Sequence, residues 1–162
     1  MTMQPTIETD RTTANAWNIA VGPDICRNVQ AGLDHEWYIT NGLGGYAAGS
    51  LVGATTRSYH GLLVAALRPP VERDVLITKI DETVELPDNR VLKLGVNEYQ
   101  DGTIDPQGYN SLDTFSLEAD VPCFRYQLDE LYTLEKRIWM EYGQNRTYVQ
   151  YMLSAAPTRD TS

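Results

Sequence analysis

Between positions 42 and 53 the chain places five glycines, in the run Asn41-Gly42-Leu43-Gly44-Gly45-Tyr46-Ala47-Ala48-Gly49-Ser50 and on to Gly53. Glycine loses more conformational freedom on folding than any other residue, so a cluster inside a folded domain needs a reason. Either the backbone turns where a Cβ would clash, or something approaches it closely. Strand-like sequence bounds the cluster, with Glu36–Thr40 before it and the apolar stretch Tyr59–Leu67 after it. The glycines therefore belong to a loop between strands, and the loop serves either the fold or a ligand.

A dinucleotide-binding turn is the first ligand reading to test. Gly42-Leu43-Gly44 with Ala47 fits G-x-G-x-x-A after a strand. The segment that should then form a helix holds Gly49, Gly53, Thr55 and Thr56, which are poor helix formers. No Asp or Glu lies between Glu36 and Glu72 to bind a ribose. No strand–helix alternation follows either. The sequence implies no cofactor.

The rest of the chain has a period close to two, the mark of strands. Pro69-Pro70 should end the Tyr59–Leu67 strand, because proline lacks the donor a ladder needs. Asp74–Leu86 reads as one long strand with Leu76, Thr78, Ile80, Glu82, Val84 and Leu86 on one face. Pro87-Asp88-Asn89-Arg90 is a turn, and Val91–Leu94 returns as a hairpin partner. Gln100–Asn110 reads as a long loop. Short strands follow around Phe115–Leu117 and Phe124–Leu128. Tyr132–Met140 and Thr147–Leu153 then form a meander around a break at Gly143–Arg146. The chain shows no helical stripe of any length. The expected class is all-β, an antiparallel β-sandwich spanning residues 31–156. Residues 1–30 are expected to be a partly flexible lead-in, and 157–162 a polar tail or the start of a linker.

Arg57, Tyr59 and His60 offer a forked donor, an amphipathic ring and an imidazole. On a strand, Arg57 and Tyr59 would share one face and His60 would take the other, so spacing alone does not make them a cluster. The plain reading is a buried histidine satisfied by backbone, with Arg57 bonding loop carbonyls. The functional reading is recognition of sugar hydroxyls, or a contact with another domain. Tyrosine supplies 10 of the aromatic residues and phenylalanine only 2. A tyrosine ring can stack while its hydroxyl stays wet. Trp37, Tyr38, Tyr46, Tyr59, Tyr99 and Tyr109 lie in or near loops and are the candidates for stacking on sugar C–H faces. Trp139, Tyr148 and Tyr151 sit in strand patterns and belong to the core or the sheet surface.

Glycoside cleavage needs two carboxylates opposed across the bond. Asp81-Glu82 and Asp129-Glu130 are adjacent pairs that a strand would point to opposite faces, so neither can close on one substrate. No catalytic residue is assigned. Two histidines, His35 and His60, and two cysteines, Cys26 and Cys123, have no metal-ligand spacing, and no metal site is assigned. The two cysteines read as free thiols. A net charge of −9 argues against nucleic acid and against an anionic membrane surface as partners. The N-terminal residues lack the pattern of a secretory signal, so the expected location is cytoplasmic.

The string E-W-Y-I-T-N-G-L-G-G-Y-A-A-G-S followed by T-R-S-Y-H-G-L-L-V-A-A resembles the start of the bacterial and archaeal type of glycogen debranching enzyme, the amylo-α-1,6-glucosidase family. The likeness continues through Pro69-Pro70, L-I-T-K-I-D-E at Leu76–Glu82 and L-E-K-R at Leu134–Arg137, and covers about residues 36–153. It implies a non-catalytic, β-rich N-terminal domain. It also implies two partners: a C-terminal helical (α/α) barrel catalytic domain of the same polypeptide, and branched α-glucan such as glycogen. The catalytic carboxylates would sit on that barrel, so this stretch alone is expected to release no glucose. The resemblance also implies that the β-domain continues past residue 162, leaving some sheet edges unpaired. The candidate substrate-binding residues are Trp37, Asn41, Gly44, Gly45, Tyr46, Arg57, Tyr59 and His60. Two other roles are compatible with the same residues: a purely structural or oligomerisation domain, and an independent carbohydrate-binding module.

Overall fold

The computed structural model describes residues 9–10, 18–69 and 71–156. The expected lead-in before residue 18 and the tail after 156 lie almost wholly outside these residues. Two sheets form the body. One has six antiparallel strands, in the order β1 (Thr9–Asp10), β2 (Asn18–Val21), β11 (Leu112–Glu118), β12 (Val121–Gln127), β13 (Tyr132–Met140) and β14 (Thr147–Ala155). The other has four: β3 (Glu36–Thr40), β4 (Tyr46–Ser50), β5 (Gly61–Arg68) and β6 (Glu72–Ile77). Two small hairpins complete the strands. One pairs β7 (Thr83–Glu85) with β8 (Val91–Lys93), and the other pairs β9 (Val96–Glu98) with β10 (Ile104–Gln107). The expected all-β sandwich is what forms.

The core lies between the two large sheets. Phe115, Phe124, Tyr126, Leu134 and Ile138 face Trp37, Ala47 and Leu62, and Leu86 and Leu94 fill in from the β7–β8 hairpin. Trp37 meets Phe124 edge to face, and Phe124 meets Phe115 in the same way. This is the packing that aromatic quadrupoles favour. A second, smaller cluster of Leu33, Val52, Ala54 and Val96 sits under the connection from β4 to β5.

Three expectations need correction. First, within residues 18–33, where no helical stripe was expected, the chain forms β2 and two short helices, α1 (Pro23–Cys26) and α2 (Val29–Leu33). Pro23 starts α1, standing in the first turn, where its missing N–H costs nothing. Asn28 caps α2 by accepting the Ala31 N–H. Second, the expected strand Asp74–Leu86 is two strands, β6 and β7. Between them, residues 78–82 leave the ladder and cross from the four-stranded sheet to the β7–β8 hairpin. The crossing is held at both ends, where the Thr78 and Glu82 carbonyls accept the Leu62 and Leu94 N–H groups. Third, the expected loop Gln100–Asn110 contains β10 and a short 3-10 turn at Gly108–Ser111.

The 78–82 crossing carries a charged side chain inward. Glu82 Oε1 lies 2.6 Å from Lys136 Nζ on β13, with both side chains 11 % exposed. The same oxygen accepts the Tyr151 hydroxyl of β14 at 2.6 Å. A largely buried ion pair is expensive to break by halves. Lys136→Met is expected to lower stability by about 3 kcal/mol. The double variant Lys136→Met/Glu82→Leu should recover most of that loss. Chemical denaturation of the three proteins checks this, and equal losses in the single and double variants would contradict it.

Candidate functional site

The glycine loop is built around one side chain. Asn41 ends β3 and is fully buried. Its Oδ1 accepts the N–H groups of Leu43 and Gly45, each at 3.0 Å. Its Nδ2 donates to the Gln144 carbonyl at 2.9 Å and to Asn145 Oδ1 at 3.0 Å. The amide thereby makes the four bonds an asparagine can make. Asn145, in the β13–β14 turn, goes further. It donates to the Ala66 carbonyl and accepts the Ala66 N–H, at 2.8 and 2.9 Å. In effect it extends the β5 ladder on the side where β4 has ended, at the Tyr46–Val64 pair.

This clamp explains two of the glycines. Gly44 sits at φ +97°, a conformation other residues rarely adopt. A Cβ on Gly45 would lie 2.6 Å from Asn41 Nδ2 and 2.9 Å from Asn145 Oδ1. Gly44 also presents its carbonyl outward, where Arg73 Nε of β6 donates to it at 2.6 Å. Asn41, Gly44 and Gly45 therefore shape and fasten the loop.

Arg57, Tyr59 and His60 come together on a partner that the sequence reading did not select. Residues 57–60 form a turn, closed by the His60 N–H on the Arg57 carbonyl, and β5 begins only at Gly61. The strand rule that would separate the three side chains does not apply there. All three turn to Glu36 at the start of β3. Arg57 Nε lies 3.2 Å from Oε1, the Tyr59 hydroxyl donates to Oε2 at 2.7 Å, and His60 Nε2 stands 3.3 Å from Oε1. The His60 contact is off hydrogen-bond alignment, so Nε2 has no hydrogen-bond partner. His60 Nδ1 accepts the Thr56 N–H at 3.2 Å, which puts the proton of the neutral ring on Nε2, facing the carboxylate. The expected backbone satisfaction of His60 is thus present on one nitrogen. Arg57 pairs with a carboxylate instead of loop carbonyls.

The ring of donors sets the charge of the cluster. Glu36 is held below the ordinary carboxylate range, first by the Tyr59 hydroxyl and then by Arg57 and His60. The same hydrogen bond, with the nearby negative charge, raises the Tyr59 phenol. His60 is buried, while Tyr59 is 46 % exposed and Arg57 is open to solvent. The sequence did carry one signal for Glu36. It is the last carboxylate before Glu72, so the cations and donors of the motif have no other acidic partner nearby in sequence.

Tyr46 and Trp37 fall on opposite sides of the sheet. Tyr38 shares the outer face of β3 with Glu36, and its ring stacks on Tyr46 at 5.1 Å and 28°. The outer face therefore carries Glu36, Arg57, Tyr59, Tyr38 and Tyr46 side by side. Trp37 points the other way, is 7 % exposed, and belongs to the core. It lines a cavity of about 40 Å³ with Phe124, Tyr126, Glu82 and Lys136. Sites for drug-sized ligands measure roughly 300–1,000 Å³, so this space has no room for a sugar ring. Of the other loop tyrosines, Tyr99 lies in the β9–β10 turn and Tyr109 packs on the second core cluster. Among the described residues no group of three or more His, Cys, Asp and Glu could hold a metal, and no helix is long and apolar enough to cross a membrane.

Residues 35–161 match the family described as glycogen debranching enzyme, N terminal. The chain belongs to that family. The match begins one residue before Glu36, so the Glu36 cluster, the glycine loop and the Asn145 turn all lie inside the matched residues. No curated protein and no solved structure matches this debranching-enzyme domain.

The Glu36 cluster has a pH signature. Its carboxyl is depressed in the folded state, so its stabilising contribution is complete above the unfolded value of about 4.3 and is lost as pH falls through the folded value. The variant Glu36→Gln lacks this term. Its melting temperature is expected below wild type at neutral pH, with the two converging as pH is lowered from about 6 to about 3. Parallel melting curves over that range would show that the carboxylate contributes nothing to folding.

Proposed function

We propose that this chain is the non-catalytic N-terminal domain of a glycogen debranching enzyme and helps to bind or position branched α-glucan beside a helical (α/α) barrel catalytic domain of the same polypeptide. The observation that carries the reading is the solvent-facing convergence of Arg57 and Tyr59 on Glu36, beside the stacked pair Tyr38 and Tyr46. Carboxylate, guanidinium and phenol are the groups that exchange hydrogen bonds with sugar hydroxyls. Tyrosine rings supply faces for the C–H side of a pyranose. The site holds a single carboxylate, and that one is kept ionised by its donors. Hydrolysis by the usual route needs two, one of them protonated, so these residues hold substrate and do not cleave it.

A structural role is the second reading, and one observation favours it. The Asn41 side chain, the Gly45 N–H and Asn145 Oδ1 are occupied in joining the loop to β5 and to the β13–β14 turn, which turns them away from any ligand. On that reading the motif fastens the two sheets and touches no sugar.

Affinity electrophoresis in glycogen-containing gels separates the two. Wild-type protein is expected to be retarded by glycogen. Arg57→Ala should weaken that retardation by roughly fivefold, the loss of one hydrogen-bonding group, with little change in melting temperature. Equal mobility with and without glycogen, together with a lowered melting temperature for Arg57→Ala, would establish the structural role.

A further inference from the structure

Asn41 and Gly42 form the single Asn-Gly pair of the chain. The fold requires both residues. Asn41 supplies the four side-chain bonds of the clamp. Gly42 follows at φ +76°, and a Cβ there would run into the Tyr142 ring. Asparagine is a labile residue, and most so before glycine, where no side chain hinders the next backbone nitrogen from reaching the asparagine Cγ. The joint between the two sheets is therefore built on a dipeptide open to self-modification.

The reaction is the loss of ammonia from the Asn41 side chain. The Gly42 nitrogen attacks Asn41 Cγ and gives up its proton through solvent. The Cγ–Nδ2 bond breaks, Nδ2 takes up a proton and leaves as ammonia, and a five-membered imide remains. Water then opens the imide at either carbonyl, leaving an aspartate or an isoaspartate at position 41. Every step is opposed in the folded protein. Attack turns Cγ from planar to tetrahedral, which moves Oδ1 and Nδ2 out of the plane that their partners fix. The Asn41 backbone is held as well, by the Gly45 carbonyl on its N–H and by the Gly143 N–H on its carbonyl. The residue is fully buried, away from the water that carries protons and opens the imide.

We propose that Asn41-Gly42 is a latent deamidation site, closed by the clamp with Asn145 and locked open once it has reacted. Opening of the clamp sets the rate, because only the open loop meets water and frees the amide to turn. Closure is then lost for a chemical reason. Nδ2 donates to the Gln144 carbonyl and to Asn145 Oδ1, and both are acceptors. A carboxylate at position 41 has no proton to give either of them, and it would set negative charge against two oxygens. The isoaspartate form also lengthens the backbone by one methylene between positions 41 and 42. A transient opening of the glycine loop is in this way converted into a permanent one.

The test incubates folded wild type, wild type unfolded in urea, and Asn145→Ala in mildly alkaline buffer, and follows position 41 by peptide mapping and mass spectrometry. Folded wild type is expected to deamidate there at least roughly tenfold more slowly than the unfolded chain. Asn145→Ala removes one acceptor of Nδ2 and should deamidate roughly tenfold faster than folded wild type, the effect of one lost buried hydrogen bond. Deamidated wild type, separated by its extra negative charge, should have lost the exchange protection of the Gly45 amide. Equal rates in folded and unfolded wild type would overturn the proposal. So would an unaltered rate in folded Asn145→Ala, or intact Gly45 protection in the deamidated protein. If Asn145→Ala does not fold, wild type in urea below its unfolding transition decides. Deamidation that rises in step with Gly45 amide exchange supports the latch, and deamidation indifferent to that exchange refutes it.

Discussion

The hydrogen bonds of Asn41 and Asn145 are the constraint on which the arrangement of this domain depends. Asn41 terminates β3 in the four-stranded sheet, and Asn145 turns β13 into β14 in the six-stranded one. Their side chains meet at 3.0 Å, and Asn145 also holds both backbone groups of Ala66. A sandwich is usually held by apolar packing between its sheets. Here the loop end of the sandwich is also joined by amides that are almost completely satisfied. Loss of either asparagine would leave buried backbone donors without acceptors, which costs more than the bond itself contributes. The glycines follow from this joint, since Gly45 must admit two amide side chains against its Cα and Gly44 must turn the chain around them.

With the loop fixed, the outer face of β3 becomes a rigid base. Glu36 at its start collects three groups from the turn 57–60, one of them the buried His60. The chemical character of the site follows from this arrangement. A carboxylate surrounded by donors stays ionised and accepts hydrogen bonds, unlike a general acid, which must be kept protonated in an apolar or anionic setting. Tyr59 and Tyr38 are exposed on this face, whereas the interior cavity has no room for a sugar ring.

The sequence disclosed the strands wherever a simple alternation maps onto one sheet. Glu36–Thr40 and Tyr132–Met140 emerged with the bounds read from their patterns, and Pro69 stopped β5 within one residue of expectation. It misled where the pattern persists while the chain changes partners. Thr78, Ile80 and Glu82 read as one strand face, yet no ladder runs through the crossing, and there Thr78 and Ile80 are exposed while Glu82 is partly buried. Helices of four and five residues are too short to show a 3.6-residue period, so α1 and α2 were invisible. The site was half legible. The motif and the resemblance pointed to Arg57, Tyr59, His60 and Tyr46 together with Trp37 and Asn41, but Trp37 lies in the core and Asn41 is a structural joint. Glu36 went unselected because a long-range contact, 21 residues from Arg57 in sequence, has no local signature.

Hydrogen exchange tests the amide clamp most directly, since the account makes Leu43, Gly45 and Ala66 depend on one another through side chains distant in sequence. In wild type their amide protons should be protected to a similar degree. In Asn145→Ala the Ala66 and Gly45 amides should lose protection together while the β12–β13 ladder keeps its own. Protection of Gly45 that is unchanged in that variant would contradict the account, because the loop would then be held by something other than the Asn41–Asn145 pair.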